Sequence, residues 1–533
     1  MIIVLIMLPE NTAPRPSRRT LIRGTLGFAA LATAGPLAAC GSDDTPATSE
    51  TPAQSPGSGG ASGGRLRLGA AGAATPTLNV LTATGMVDYI AMFSLYDSLA
   101  VLRGDQIELQ LAESFEANAD ATEFTVGIRS DATFHDGRPC TAHDVRYSLA
   151  TLADPDQSPN FSQFYSDLDV ANLDVIDEHT LRIALHRPRA DFVTTSLATF
   201  SMIFPADTAG EQWEEGIGSG PLRLASSSGG SYVLERNPDY WGEPAFLDEV
   251  ELIAINDAET RLNALRGGEI DYAHSISPAG AAVIERDDSL AVVRGGPANS
   301  QTFALEMNVN QAPFDDPGVR LAMKLLVDRE ALVETVLFGQ GVVGNDLMGQ
   351  GLVGFNTDIP QRERDLDEAR SLLETAGVSE VTLRVAELAP GMTDAATLFA
   401  EQAAEAGLTI TLETADADTF FADYETLMST PFQSVLWINR PAATFTSIFT
   451  GSAGSFNVTG MGGPEYDALL DELHSSLDEE TRQVHLDEIQ RELWDRGGNL
   501  LWGFAEQLDA TVPGVEGITY VQSLPRLGQL RMT

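Results

Sequence analysis

Apolar and polar residues alternate over Arg65 to Gly69, Thr77 to Leu81 and Phe124 to Arg129, and again over Thr180 to Leu185, Ser231 to Glu235 and Val250 to Ala254. A side-chain period of two turns one face of an extended segment toward a core, so each stretch predicts a β-strand. Elsewhere the apolar spacing lengthens to that of a helix. From Pro317 to Phe338, residues Val319, Ala322, Met323, Leu326, Leu332, Val333, Val336 and Leu337 form a stripe. Asp316 is placed to cap it, Pro317 stands in its first turn and Gly339 stands where a left-handed stop belongs. Asp365 to Ala376 before Gly377, Met392 to Ala406 before Gly407, and Pro464 to Arg496 repeat the pattern. Strands at Val381 to Ala386 and Thr409 to Glu413 follow these helices at short intervals, which argues for α/β domains with mixed sheets.

The beginning of the chain reads differently. Ser17-Arg18-Arg19-Thr20-Leu21-Ile22 precedes an apolar run from Gly24 to Ala39, and Leu37-Ala38-Ala39 leads into Cys40. The arginine pair resembles a twin-arginine export signal, and small residues before a cysteine resemble a lipoprotein cleavage site. Residues 1–40 are therefore expected to be a lipoprotein signal peptide, with lipid on Cys40. The run is short for a bilayer and contains Gly27, Gly35 and Pro36, which argues against a membrane-spanning helix. Residues 41–64 are Gly, Ser, Thr, Pro, Ala and acid, a composition that cannot bury enough surface to fold and predicts a flexible tether.

Composition narrows function mainly by exclusion. With 533 residues, 43% hydrophobic and 20% charged, the chain has the make-up of about three globular domains. Its formal charge is -45, and residues 1–40 contribute four arginines against one glutamate, so the acidity lies beyond them. Such a surface repels phosphate backbones, so no nucleic-acid partner is expected. Lys324 is the only lysine. Lipid on Cys40 would leave Cys140 without a partner for a disulfide, and we read that thiol as buried filler.

Gly339 to Gly344 and Gly349 to Gly354 both match G-x-G-x-x-G, yet the first follows a long helix instead of a strand, so both read as loop glycines. The common P-loop, zincin and C-x-x-C templates do not occur. His135 and His143 flank a turn and suit structural roles better than metal ligation, and no cofactor is expected.

Longer matches occur in order. Ala132 to Ser148 (ATFHDGRPCTAHDVRYS), Gly218-Ser-Gly-Pro221, Arg236-Asn-Pro-Asp-Tyr-Trp-Gly242, Arg266 to Asp271, Val319 to Met323 with Val327 to Glu330, and the Asp478 to Leu493 helix together resemble family 5 extracellular solute-binding proteins, the peptide and nickel binding components of ABC importers. Each also has a local physical reading. Asp136-Gly137 is a turn dipeptide, Thr141 and Asp144 suit helix capping, and Asn237-Pro238 starts a turn that lets Tyr240 and Trp241 pack.

The resemblance implies an α/β fold, a bilobed periplasmic-binding-protein-like clamp with mixed sheets and an additional inserted domain. Lobe 1 would comprise residues 65–96, 206–300 and 508–533, the inserted domain 97–205 and lobe 2 301–507. It also implies a monomeric solute receptor, not an enzyme, that closes on a small-molecule or peptide solute and delivers it to ABC permease subunits with a cytoplasmic ATPase. A sensing receptor and, less favoured, a secreted hydrolase are the alternatives.

In peptide-binding relatives a tryptophan precedes by three positions an aspartate that pairs with the ligand's α-amino group. Here the segment is Val435-Leu-Trp437-Ile-Asn439-Arg440, with arginine at the aspartate position. The resemblance makes Trp437, Asn439, Arg440, Trp502 and Phe504 the candidate ligand contacts. An inward Arg440 would repel an ammonium and suit a carboxylate or phosphate. The alternatives are an arginine paired to an acid at the cleft rim, and core aromatics.

Overall fold

The computed structural model describes residues 63–533 except 74, 104, 105, 159, 160, 288, 418, 419, 422, 423 and 455. The expected signal peptide, Cys40 and residues 41–62 lie outside the described residues. Gly63 and Gly64, the last residues of the expected tether, are tied down instead. Gly63 N donates to Phe246 O at 2.7 Å and Gly64 N to Asp248 Oδ2 at 2.9 Å.

Three larger sheets organise the described residues. A seven-stranded sheet runs in the order Ala291–Arg294, Leu508–Thr511, Tyr272–Ala273, Arg65–Ala70, Glu249–Ala254, Ser231–Arg236 and Leu222–Ser228. Arg65–Ala70 pairs parallel with the strands on both sides, while the outer pairings are antiparallel. The second sheet has six strands, Gly341–Val343, Asn499–Glu506, Ser300–Met307, Phe432–Ile438, Glu380–Val385 and Thr409–Thr414. A four-stranded antiparallel sheet, formed by Ala112–Ala117, Glu123–Ile128, Thr180–Ala184 and Asp174–Asp177, is inserted between strands of the first.

The first two sheets are joined by two adjacent crossings. Arg294 pairs with Leu508 in one sheet and Ser300 with Glu506 in the other. Between them Gly295 N donates to Gln507 O and Gln507 N to Asn299 O, both at 2.8 Å.

The motif residues hold this frame. Asp97, buried, accepts from Trp241 Nε1 at 2.7 Å, Ser219 Oγ at 3.1 Å and the Tyr240 hydroxyl at 3.2 Å, so a single carboxylate binds two of the motifs together. Burial raises its pKa to about 6 against those three bonds. Gly218 and Gly220 lie so close to the helix Met86–Leu95 that an added Cβ would fall 2.0 Å from Leu95 O and 2.3 Å from Ser94 O. Thr141 and Asp144 form the capping box of Ala142–Leu152. Cys140 is buried, which pushes its thiol pKa up.

Three expected elements differ. Pro317 to Phe338 is two helices, Pro317–Leu326 and Arg329–Val336, because Asp328 accepts from Ala331 N at 2.9 Å and starts a new first turn. Pro464 to Arg496 likewise divides into Pro464–Ser475 and Glu479–Arg496, with Asp478 capping the second. Thr77 to Leu81 is not a strand. Asn79 Oδ1 accepts from Leu81 N at 3.0 Å and Asn79 O accepts from Thr82 and Ala83, which bends the alternating segment into a turn.

Candidate functional site

Phe432–Ile438 is the strand that carries the segment of interest. Val435 and Trp437 face one side of the six-stranded sheet, toward an apolar cluster that runs on into the inserted domain, and Phe432 faces the other. Trp437 is buried. Its ring lies 4.7 Å from Phe449 and 5.7 Å from Phe421, and its Nε1 donates to Glu306 Oε1 at 3.3 Å. Asn499 Nδ2 donates to both Glu306 oxygens, at 3.0 and 2.9 Å. Burial raises the Glu306 pKa to about 8, against those bonds and the charge of Lys324, so this acid keeps its proton at neutral pH.

Two residues beyond the strand the chain reaches Arg440, which is 4% exposed. Its guanidinium sits 5.6 Å from the ring centre of Phe449 and 5.6 Å from that of Phe164, a residue of the inserted domain. Neither terminal nitrogen has a hydrogen-bond partner among the described residues. Burial lowers its pKa to about 9, and no carboxylate acts on it to oppose the shift. The rim position beside an acid is therefore not where this arginine lies.

The other buried arginines meet a carboxylate or backbone carbonyls, although Arg329 Nε has no partner. Arg189 binds Asp191 at 2.9 Å and also Asp167, Arg261 donates to four backbone carbonyls, and Arg329 binds Asp346 at 2.6 Å. Burying a charge without a partner costs several kcal/mol in the folded chain. Among the described residues Arg440 is where that cost is carried.

The remaining candidates divide. Phe504 is buried in the same apolar cluster as Trp437. Trp502 is not; it packs 5.1 Å from Phe303 in the helix-covered core on the opposite side of the sheet. A bulge explains this, because the register passes from Phe303 opposite Gly503 to Ala304 opposite Leu501, leaving Trp502 unpaired and inverting the alternation. Asn439 has its polar atoms occupied. It donates to Pro297 O and Gln350 O, both at 2.8 Å, and accepts from Gly349 N at 2.8 Å, so it fixes the loop beside the crossing.

The sequence reading passed over His474, on Pro464–Ser475. It accepts from Ala190 N through its carbonyl at 2.6 Å, and its Nδ1 lies 3.4 Å from Asp191 Oδ2. These contacts tie the inserted domain to the side of the molecule that carries Arg440. Burial alone would raise the Asp191 pKa, but Arg189 and His474 hold it well below the usual carboxylate range. His135, by contrast, accepts from Gly218 N and bonds Gly220 O, a structural role. Two cavities, of about 300 Å³ beside Trp241 and Arg526 and about 770 Å³ beside Arg320 and Arg496, do not reach Arg440.

Residues 106–457 match the model of the bacterial extracellular solute-binding proteins, family 5. The chain belongs to that family. Family 5 relatives of known name include a di/tripeptide-binding protein of Pseudomonas aeruginosa, 28% identical over 54% of this chain and 59% of its own. A glutathione-binding protein of Pectobacterium atrosepticum is 28% identical over 50% of this chain and 52% of its own. The chain thus spans little more than half the length of these relatives. A periplasmic binding protein of Agrobacterium tumefaciens solved with agropinic acid is 25% identical, covers 88% of this chain and 99% of its own, and superimposes with a TM-score of 0.70. The bilobed family 5 fold is the one described above. No helix of the described residues is long and apolar enough to cross a membrane.

Proposed function

We propose that this chain is the solute receptor of an ABC importer, exported and held by lipid on Cys40 at the outer face of the cytoplasmic membrane. It captures a peptide-like, carboxylate-bearing small organic solute between its lobes and passes it to the permease subunits and their ATPase. No bond of the solute is made or broken. The lobes divide at residues 65–96, 206–300 and 508–533 against 301–507, with 97–205 inserted, and the crossings at Gly295 and Gln507 bend. Solute touching both lobes favours the closed arrangement by its differential contacts.

The observation that carries this reading is Arg440, a buried guanidinium between Phe164 of one side and Phe449 of the other, with two donor nitrogens that find no acceptor among the described residues. A guanidinium fork matches a carboxylate in bidentate fashion. The di/tripeptides, glutathione and agropinic acid in the relatives' names all carry carboxylates. Native mass spectrometry of protein purified without refolding tests it, with an organic acid as the expected passenger. Arg440→Asp is expected to shift preference toward cationic solutes, and an unchanged calorimetric profile would remove Arg440 from the site. Cys40→Ala is expected to release the protein into the medium; retention at the membrane would overturn the anchor.

A further inference from the structure

We infer that the solute is an apolar monocarboxylate with no free ammonium group, such as an acyl-capped peptide or amino acid. The inference rests on the reading of Arg440 above and narrows it. The first argument is charge balance. One guanidinium lies in a water-poor setting where its terminal nitrogens meet no acceptor among the described residues, so a single negative charge neutralises it, whereas a phosphate dianion would leave one charge uncompensated.

The second concerns what could hold a positive group. An ammonium entering this region would need an acceptor, and the buried carboxylates beside Trp437 and His474 are engaged, Glu306 by Asn499 and Asp191 by Arg189. Glu306, on the sheet face that carries Trp437, also keeps its proton at neutral pH and offers no negative charge. Aromatic faces are the remaining attraction for a cation, and Arg440 itself already lies over Phe164 and Phe449.

The third is the aromatic packing around Arg440. Phe449 stacks on Phe445 at 5.2 Å with an interplanar angle of 17° and meets Trp437 on another side, and Phe456 lies 6.2 Å from Trp437. Rings of this kind select apolar groups around an anchored carboxylate.

The test uses one dipeptide library, sampling apolar residues at both positions, in three forms: free, N-acetylated, and N-acetylated with a C-terminal amide. Binding to the mature protein is measured by calorimetry. The expected order is N-acetylated acid at least tenfold tighter than free peptide, with the amide unbound. Equal or tighter binding of the free peptides, with the amide still unbound, overturns the exclusion of ammonium and leaves the carboxylate reading standing. Binding of the amide as strong as that of the acid overturns both. Absence of binding by all three forms also counts against the inference, because the library spans the apolar side chains it calls for. Arg440→Met is expected to bind acid and amide alike.

Discussion

Two buried sites of positive charge within residues 301–507 have opposite designs. Between Arg329–Val336 and Glu479–Arg496, Arg329 and Arg362 share Asp346, at 2.6 and 2.9 Å, and the Arg362 guanidinium also lies 3.7 Å from the ring centre of Trp494. Beside them the buried Lys324 ammonium donates to Trp494 O at 2.9 Å, at the carbonyl end of that helix. Every charge there has a local answer. Arg440, at the end of the central strand, has none. The first cluster holds elements together, and the second is held in place by elements that gain nothing from its charge. That contrast separates a residue kept for the fold from one kept for a ligand.

The largest effect is expected on breaking the satisfied cluster. Asp346→Ala leaves two guanidiniums buried without their carboxylate and should lower unfolding free energy by about 3–5 kcal/mol in urea denaturation. Arg440→Met should do the reverse. Replacing an unpaired buried charge by an apolar side chain of similar length should leave the solute-free protein as stable or raise it by about 1–3 kcal/mol, while the preference for an acid over its amide is lost. A clear loss of stability on that substitution would mean that Arg440 is paired in solution, and the contrast would fail.

A further effect is one of pH. Glu306 keeps its proton in the folded chain up to about pH 8, whereas the unfolded chain releases it near 4.5. The folded state therefore binds the extra proton, and this group's contribution is fully present below the ordinary carboxylate range and lost as pH rises toward 8. Glu306→Gln should flatten the fall in stability between about pH 5 and 8, seen as the difference between the two denaturation profiles. An unchanged slope would show that Glu306 is already ionised.

Much of the frame was legible because it is local. Strand alternation placed Glu123–Ile128, Ser231–Arg236 and Glu249–Ala254 within a residue or so, and Asp316, Asp365 and Gly377 cap or stop helices as their types suggest. Asp328 was misread because an acid inside an apolar stripe looks like a surface residue until its side chain is seen on Ala331 N. Trp502 and Phe504 share parity, and no local signal revealed the bulge that turns them to opposite sides. The position of Arg440 came from resemblance. Its lack of a partner among the described residues depends on Phe164, brought from the inserted domain, and on which side chains pack beside it, which no linear pattern records.

The solitary lysine has a practical corollary. Lys324 is the only side-chain amine in the chain and is fully buried, with a pKa lowered by that burial to about 7. Succinimidyl dyes and amine-directed cross-linkers therefore find no side chain to modify on the native surface, and an adduct at this site becomes a timer for transient opening of the helices that cover it.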